Sequence, residues 1–208
     1  TVASAPPGTT FRLAAGVHRT RAITPRTGDI FEGVYVNGRR ASSLAGCRVL
    51  TAWTYERGRW WIGGQTQQGQ VIPSSTLDPA YPRADYPEDL FMNDELKRHV
   101  ASLADVQPGA WFFDYDADRI YVGDNPYGKL VETSVTPYVF TGASAASRVL
   151  LRDLIVEKFA TPTATGAASG AGTPPGGGGA MVGVTFTEEW VGPSSDYSAS
   201  CSSRDGTV

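Results

Sequence analysis

The apolar positions of residues 148–159, RVLLRDLIVEKF, fall at Val149, Leu151, Leu154, Val156 and Phe159, in steps of 2, 3, 2 and 3. A helix needs apolar residues at i, i+3, i+4 and i+7, and Leu151, Leu154 and Ile155 meet that template only in part. A step of 2 keeps side chains on one face of a strand, and a step of 3 adds one residue where the chain bends. The β-branched content points the same way. The spacing predicts two short strands around a bend at Arg152-Asp153.

Similar steps occur near the N-terminus. In SLAGCRVL, Leu44, Cys47 and Val49 are spaced by 3 and 2, which turns Cys47 inward. TTFRLAAGVHR puts Phe11 and Leu13 on one face before a turn at Ala14-Ala15-Gly16, and GDIFEGV puts Ile30 in a further strand. Phe11, Ile30 and Val49 are each 19 positions apart. A period near 20 residues, with one short strand per repeat, is the signature of a β-solenoid.

The pattern lapses between residues 51 and 130. This stretch holds Trp60-Trp61, the Pro-rich VIPSSTLDPAYPRADYP and a hairpin-like AWFFDYDADRIYVGDNPYGK. DLFMNDELKRHVASL reads as a strand and turn leading into one helical turn. From Ala160 the chain becomes TPTATGAASGAGTPPGGGGA, too poor in apolar side chains to offset its ordering entropy. Beyond it only Met181 to Phe186 reads as a strand. Recognisable coils thus end near Phe159, as a truncation or a tail read in an altered frame would make them.

The run PGTTFRLAAGVHRTRAITPRTGDIFEG resembles the opening coils of the right-handed parallel β-helix, or pectate-lyase-like, superfamily. VTPYVFTGASAASRVLLRDLIVEKFA resembles a later coil of the same superfamily. Trp111-Phe112-Phe113-Asp114 through Ile120-Tyr121-Val122 resembles a run in those β-helix glycoside hydrolases that carry a small inserted β-barrel. The resemblance implies a mainly β fold: first β-helix coils over 1–50, an inserted β-rich, barrel-like domain over 51–130, a return to the coil over 131–160, and a Gly/Pro/Ser-rich tail over 161–208. This scaffold serves lyases, hydrolases, epimerases and tailspikes alike, so the fold does not choose an activity.

Composition narrows the partners. With 24 Gly and 14 Pro in 208 residues, turns are many and helix is scarce. A net charge of −3 gives no electrostatic reason for a nucleic-acid partner. No apolar run approaches the ~20 residues of a membrane span. Two cysteines are too few for a disulfide framework. The start TVASAPPG, without Met, fits a trimmed or processed end, and the low Lys with abundant Thr, Ser, Gly and Tyr fits a secreted or cell-surface protein.

Candidate chemistry is sparse. Asp114-Tyr115-Asp116-Ala117-Asp118 opens like a calcium loop, but Arg119 and Asn125 stand where that loop needs Gly and Glu, so a hairpin turn is the better reading and no cofactor is expected. His18 and His99 lack partners at metal-ligand spacing, and His18 is expected at a coil corner. Asp29, Glu32, Asp85, Glu88, Asp89, Asp94 and Glu95 offer carboxylates, but no pair stands out for glycoside chemistry, and solvated surface is the simpler expectation. No catalytic residue is assigned. Trp60, Trp61, Trp111 and Tyr115, with Trp53, could stack on sugar rings as substrate-binding residues; burial in the 51–130 domain is the commoner fate of such side chains.

Two functions follow. One is the N-terminal portion of a polysaccharide-processing enzyme, of glycoside hydrolase or lyase type, inactive in these 208 residues for want of later coils. The other is a non-catalytic carbohydrate-binding, adhesin- or tailspike-like module. The partner in either case is a polysaccharide or oligosaccharide.

Overall fold

In the computed structural model the described residues are 2–19, 22–71, 73, 78–140, 146 and 148–162, with the backbone of Ala180–Val182 and Thr185–Thr187. The fold is mainly β, in several small sheets, and helix among the described residues is confined to two single 3-10 turns, Val2–Ser4 and Leu103–Asp105. No helix there is long and apolar enough to cross a membrane.

Residues 148–159 form two strands, Leu150–Arg152 and Ile155–Glu157, with the bend at Asp153-Leu154. Asp153 makes the corner by adopting a left-handed conformation, φ 60°, one that Asp tolerates better than most residues. All five apolar residues of the spacing argument are buried, from 0% exposed at Leu154 to 8% at Phe159. Two strands with an extra residue at the corner is what puts them all inside.

Those strands belong to two parallel four-stranded sheets. The first pairs Thr10–Arg12, Ile30–Glu32, Leu150–Arg152 and Ala180–Val182 in that order. The second pairs Gly16–Arg19, Ser42–Ala45, Ile155–Glu157 and Thr185–Thr187. Four times the chain lays one strand in the first sheet and its next partner in the second. Phe11, Phe31 and Leu151 align in one register row, and His18, Leu44 and Val156 in another. The rings of Phe11 and Phe31 stack at 5.1 Å, and Phe140 lies 5.1 Å beyond Phe31. The core between these sheets adds Val139, Leu154 and Phe159. Burying each such side chain contributes about 1.5–3 kcal/mol.

The rows correct the sequence interval. The first repeat is 20 residues, Phe11 to Phe31, and Ile30 stands beside Thr10 on the outer side. Val49 is not the third member. Cys47–Val49 and Val131–Ser134, read from sequence as coil strands, instead pair antiparallel with each other. They complete a sheet with Leu90–Met92 and Glu95–Leu96. Nor do the strands stop at Phe159, since Ala180–Val182 and Thr185–Thr187 add a further pair within the Gly-rich tail. His18 lies in a strand rather than at a corner, and its Nε2 is 2.8 Å from the Ala14 carbonyl.

The remaining residues of 51–130 build a five-stranded sheet in the order Arg98–His99, Ala110–Asp114, Arg119–Val122, Arg59–Ile62 and Thr54–Glu56. The segment after Asp89 begins with the expected strand and turn, but two further strands, Glu95–Leu96 and Arg98–His99, come before the 3-10 turn Leu103–Asp105. Alternation along the central strands sends Trp111, Phe113, Ile120 and Val122 into a second core. The opposite face carries Phe112 and Tyr121.

A buried ionic cluster joins the parallel and antiparallel parts. Glu132, 1% exposed, accepts hydrogen bonds from Arg19 Nε at 2.9 Å and Lys158 Nζ at 2.7 Å. Lys158 also pairs with Asp94, and its ammonium sits 5.2 Å from the Phe91 ring centre.

Candidate functional site

The four residues read as sugar-stacking candidates do not converge. Trp111 is fully buried, with its Nε1 donating to the Lys97 carbonyl at 3.1 Å. Its row explains this: Trp111 pairs with His99 on one side and Val122 on the other, so it lies inside the sheet rather than at its edge. Trp111 therefore offers no face to a ligand, and the packing role applies. Trp61 points to the other face, where the Arg119 guanidinium covers its ring at 4.3 Å.

Tyr115 belongs to a half-buried aromatic column. It stacks on Phe113 at 4.1 Å and on Tyr86 at 5.6 Å, while Arg83 lies 4.1 Å over Tyr86. The Tyr115 hydroxyl donates to Glu88 Oε2 at 2.8 Å, and Gly69 N–H donates to the other carboxylate oxygen. Burial pushes the Glu88 carboxyl up from its ordinary value despite those donors, because a charge loses more on leaving water than two donors restore. Burial also raises the Tyr115 hydroxyl, and the neighbouring Glu88 charge adds to it. At the end of the column His99 stacks on Trp111 at 4.0 Å, and neither ring nitrogen has a hydrogen-bond partner among the described residues. Burial holds its pKa well below the usual imidazole value.

Carboxylates expected at the surface are in part buried. Asp29, Asp85 and Glu88 are 0%, 5% and 1% exposed. Asp29 accepts the backbone N–H groups of Thr9 and Arg26, tying two strand entries together. With Glu88 holding Gly69 and Glu132 holding two cations, Asp29, Glu88 and Glu132 each secure another part of the chain. Among the described residues no three His, Cys, Asp or Glu side chains are grouped to hold a metal ion. The Asp114–Asp118 segment is a hairpin turn, with Asp114 Oδ1 accepting the Ala117 N–H at 3.1 Å.

Trp60, half-buried like Trp61 and Tyr115, borders the two exposed tyrosines of the sheet edge. Its strand neighbour Tyr55 is 59% exposed and lies directly opposite it, with ring centres 4.7 Å apart. Tyr127, 62% exposed, meets the same indole at 5.0 Å, edge to face. Tyr55–Trp60–Tyr127 is thus an open aromatic surface continuous with the second core.

Among solved structures, the complex structure of XylC with xylose is similar in fold, with a TM-score of 0.59 at 16% identity. The match covers 77% of this chain and 32% of that one, so the chain spans about a third of the length of XylC. A glycoside hydrolase gives a TM-score of 0.41 at 8% identity, over 72% of this chain and 43% of that one. No protein-family model matches the sequence, and no curated protein does.

Sequence reasoning missed Tyr55 and Tyr127. The first was within reach, because Arg57-Gly58 is a two-residue turn with both φ angles positive, 49° and 82°. Such a turn fixes the pairing of Tyr55 with Trp60. Tyr127 lies in the loop DNPYGK, whose composition says only that the chain turns.

Proposed function

We propose that this chain is the N-terminal part of a carbohydrate-active right-handed parallel β-helix protein, with residues 51–130 excursing from the helix as a β-rich insert. The observation that carries the reading is the repeated in-register parallel pairing of Phe11, Phe31 and Leu151. The fold likeness to XylC, a protein solved with xylose, supports a sugar as the partner. Polysaccharide processing, by hydrolysis or β-elimination, is the activity proposed for the longer protein, at the cell surface or outside the cell. Hydrolysis needs an acid and a second carboxylate held across a cleft, and the buried acids here are committed to other bonds. These residues therefore supply scaffold and binding surface, and the reacting groups come from coils outside them.

A non-catalytic binding module is the second reading, favoured by the exposed Tyr55–Trp60–Tyr127 trio. Incubation with soluble xylan, pectin and arabinan tests the carbohydrate reading that both share, and the same assay on a chain extended by further coils separates them, because only the first expects turnover there. The expected result for this chain is polymer binding without reducing-sugar release or unsaturated-uronate absorbance. Turnover by these residues alone refutes the division of labour, and absence of any polymer binding refutes the carbohydrate reading.

A further inference from the structure

We propose that Tyr55, Trp60 and Tyr127 form a stacking platform for a neutral saccharide chain, on the edge of the five-stranded sheet and apart from the parallel sheets. The proposal rests on the carbohydrate reading above and deepens it by naming where the sugar sits.

The platform follows from the sheet's register. Trp111, Val122, Trp60 and Tyr55 form one row across four strands, all on the core face. Exposure along it runs from 0% at Trp111 and 1% at Val122 to 59% at Tyr55. The row begins as core and ends as surface at the outermost strand. A sheet edge of this kind normally carries charged or small residues where its face emerges. Here it carries rings, and the loop holding Tyr127 brings a third ring onto the same indole. Tyr55 and Tyr127 are also the two most exposed large hydrophobic side chains among the described residues.

The size and chemistry of the patch select the occupant. A fully buried aromatic side chain covers about 150–250 Å², and around 40% of each tyrosine is already covered. What remains is far below the ~800 Å² per partner of a stable protein interface. It matches one or two pyranose rings, whose axial C–H groups form an apolar face suited to the electron-rich face of an aromatic ring. At the adjacent turn Glu56 and Arg57 pair with each other at 3.8 Å, so that turn adds no net charge beside Tyr55 to hold a uronate. Trp60 is held between two paired strands, so little side-chain freedom is lost on binding.

The test is native gel electrophoresis of the chain through soluble arabinoxylan, β-glucan, galactomannan or polygalacturonate. Tyr55→Ala, Tyr127→Ala and Tyr35→Ala are run beside it, with thermal melts of each and sedimentation of the wild type. Tyr35 is a control that is 52% exposed and lies outside the trio. The expected result is retardation by at least one neutral polymer, weakened at least tenfold by Tyr55→Ala and by Tyr127→Ala, and unchanged by Tyr35→Ala. Retardation that survives both substitutions overturns the platform and leaves the carbohydrate reading standing. Retardation by polygalacturonate alone overturns the neutral ligand. No retardation in any gel overturns both the platform and the reading beneath it. A wild-type dimer that Tyr55→Ala or Tyr127→Ala converts to monomer assigns the patch to self-association and overturns the proposal.

Discussion

Lys158 Nζ lies 2.7 Å from Glu132 Oε2, and the two residues belong to different sheets. Lys158 follows Ile155–Glu157 of the second parallel sheet, while Glu132 sits within Val131–Ser134 of the antiparallel one. Arg19, at the end of another parallel strand, reaches the same carboxylate. One buried acid thus holds two passes of the parallel sheets to the excursion.

Glu132→Gln is expected to destabilise the chain by about 3–5 kcal/mol at pH 7, because it leaves two cations without their carboxylate in a buried site. Burial alone would raise the Glu132 pKa, but hydrogen bonds from Lys158 and Arg19 and their charges outweigh it, and the net shift is downward from 4.5. Its contribution is therefore complete above pH 4.5 and is lost as pH falls through the lower folded value. Urea unfolding of wild type and variant should differ at pH 7 and converge in acid. A pH-independent gap contradicts the assignment.

Tyr115→Phe probes the opposite sign. The Glu88 carboxyl is raised by burial, so its folded form favours the proton, and the stability it brings is lost as pH rises through the folded value. Removing the Tyr115 hydroxyl takes one donor from the charged form and is expected to cost about 1–3 kcal/mol at a pH above the raised folded value, where Glu88 is ionised. The cost should shrink below the ordinary carboxylate pKa, where Glu88 is protonated. Equal losses in alkali and at pH 4 would show that the ring packing, not the hydroxyl, is what changed.

Gly33→Ala and Gly46→Ala test how closely successive passes approach. A Cβ on Gly33 would lie 2.1 Å from the Asp153 carbonyl oxygen, and one on Gly46 would lie 2.5 Å from the Phe159 ring. Backbone cannot yield as a side chain does, so Gly33→Ala is expected to cost at least the ~1–3 kcal/mol of an overpacked core. Gly38→Ala meets no atom within 4 Å and carries only the strain of its positive φ. Thermal melts that rank Gly38→Ala as the most damaging of the three refute the close approach.

Cys47 is buried, and its thiol is pushed up to about 12, first by burial and then by the charge of Glu132. In a chain with Cys201 replaced by Ser, thiol reagents at pH 8 are expected to modify Cys47 slowly in the native state and quickly in denaturant. Rapid native modification would place the thiol at the surface.

The parallel sheets were legible wherever the chain obeyed one local rule. At 148–159 the steps of 2 and 3 located both strands and all five inward side chains, because a corner of one extra residue leaves its mark within twelve positions. The antiparallel excursion left no such mark. Cys47–Val49 carries an inward pattern whether its partner is parallel or antiparallel, so alternation could not tell that Val131–Ser134 would lie beside it. Glu132 was passed over for a related reason. A carboxylate's burial is decided by Arg19 and Lys158, 113 and 26 positions away, and a sequence scan has no view of either. Among the aromatics, Trp60 and Trp61 are adjacent in sequence, yet alternation sends them to opposite faces, and only register separates their fates.

In the first parallel sheet Phe31 meets Phe11, 20 positions before it, and Leu151, 120 positions after it. Loop closure adds about 2.7 kcal/mol of length-dependent entropy cost for the nearer pairing and about 4.2 for the farther one. The nearer strands can come together as soon as they exist, and the farther one cannot. During synthesis from the N-terminus, Ile30–Glu32 has its open edge unpartnered until some 120 further residues have been made. Collapse of the intervening antiparallel sheets shortens the gap that the chain must close. Until Leu150–Arg152 arrives, the waiting edge is the point at which another copy of the chain could pair in its place.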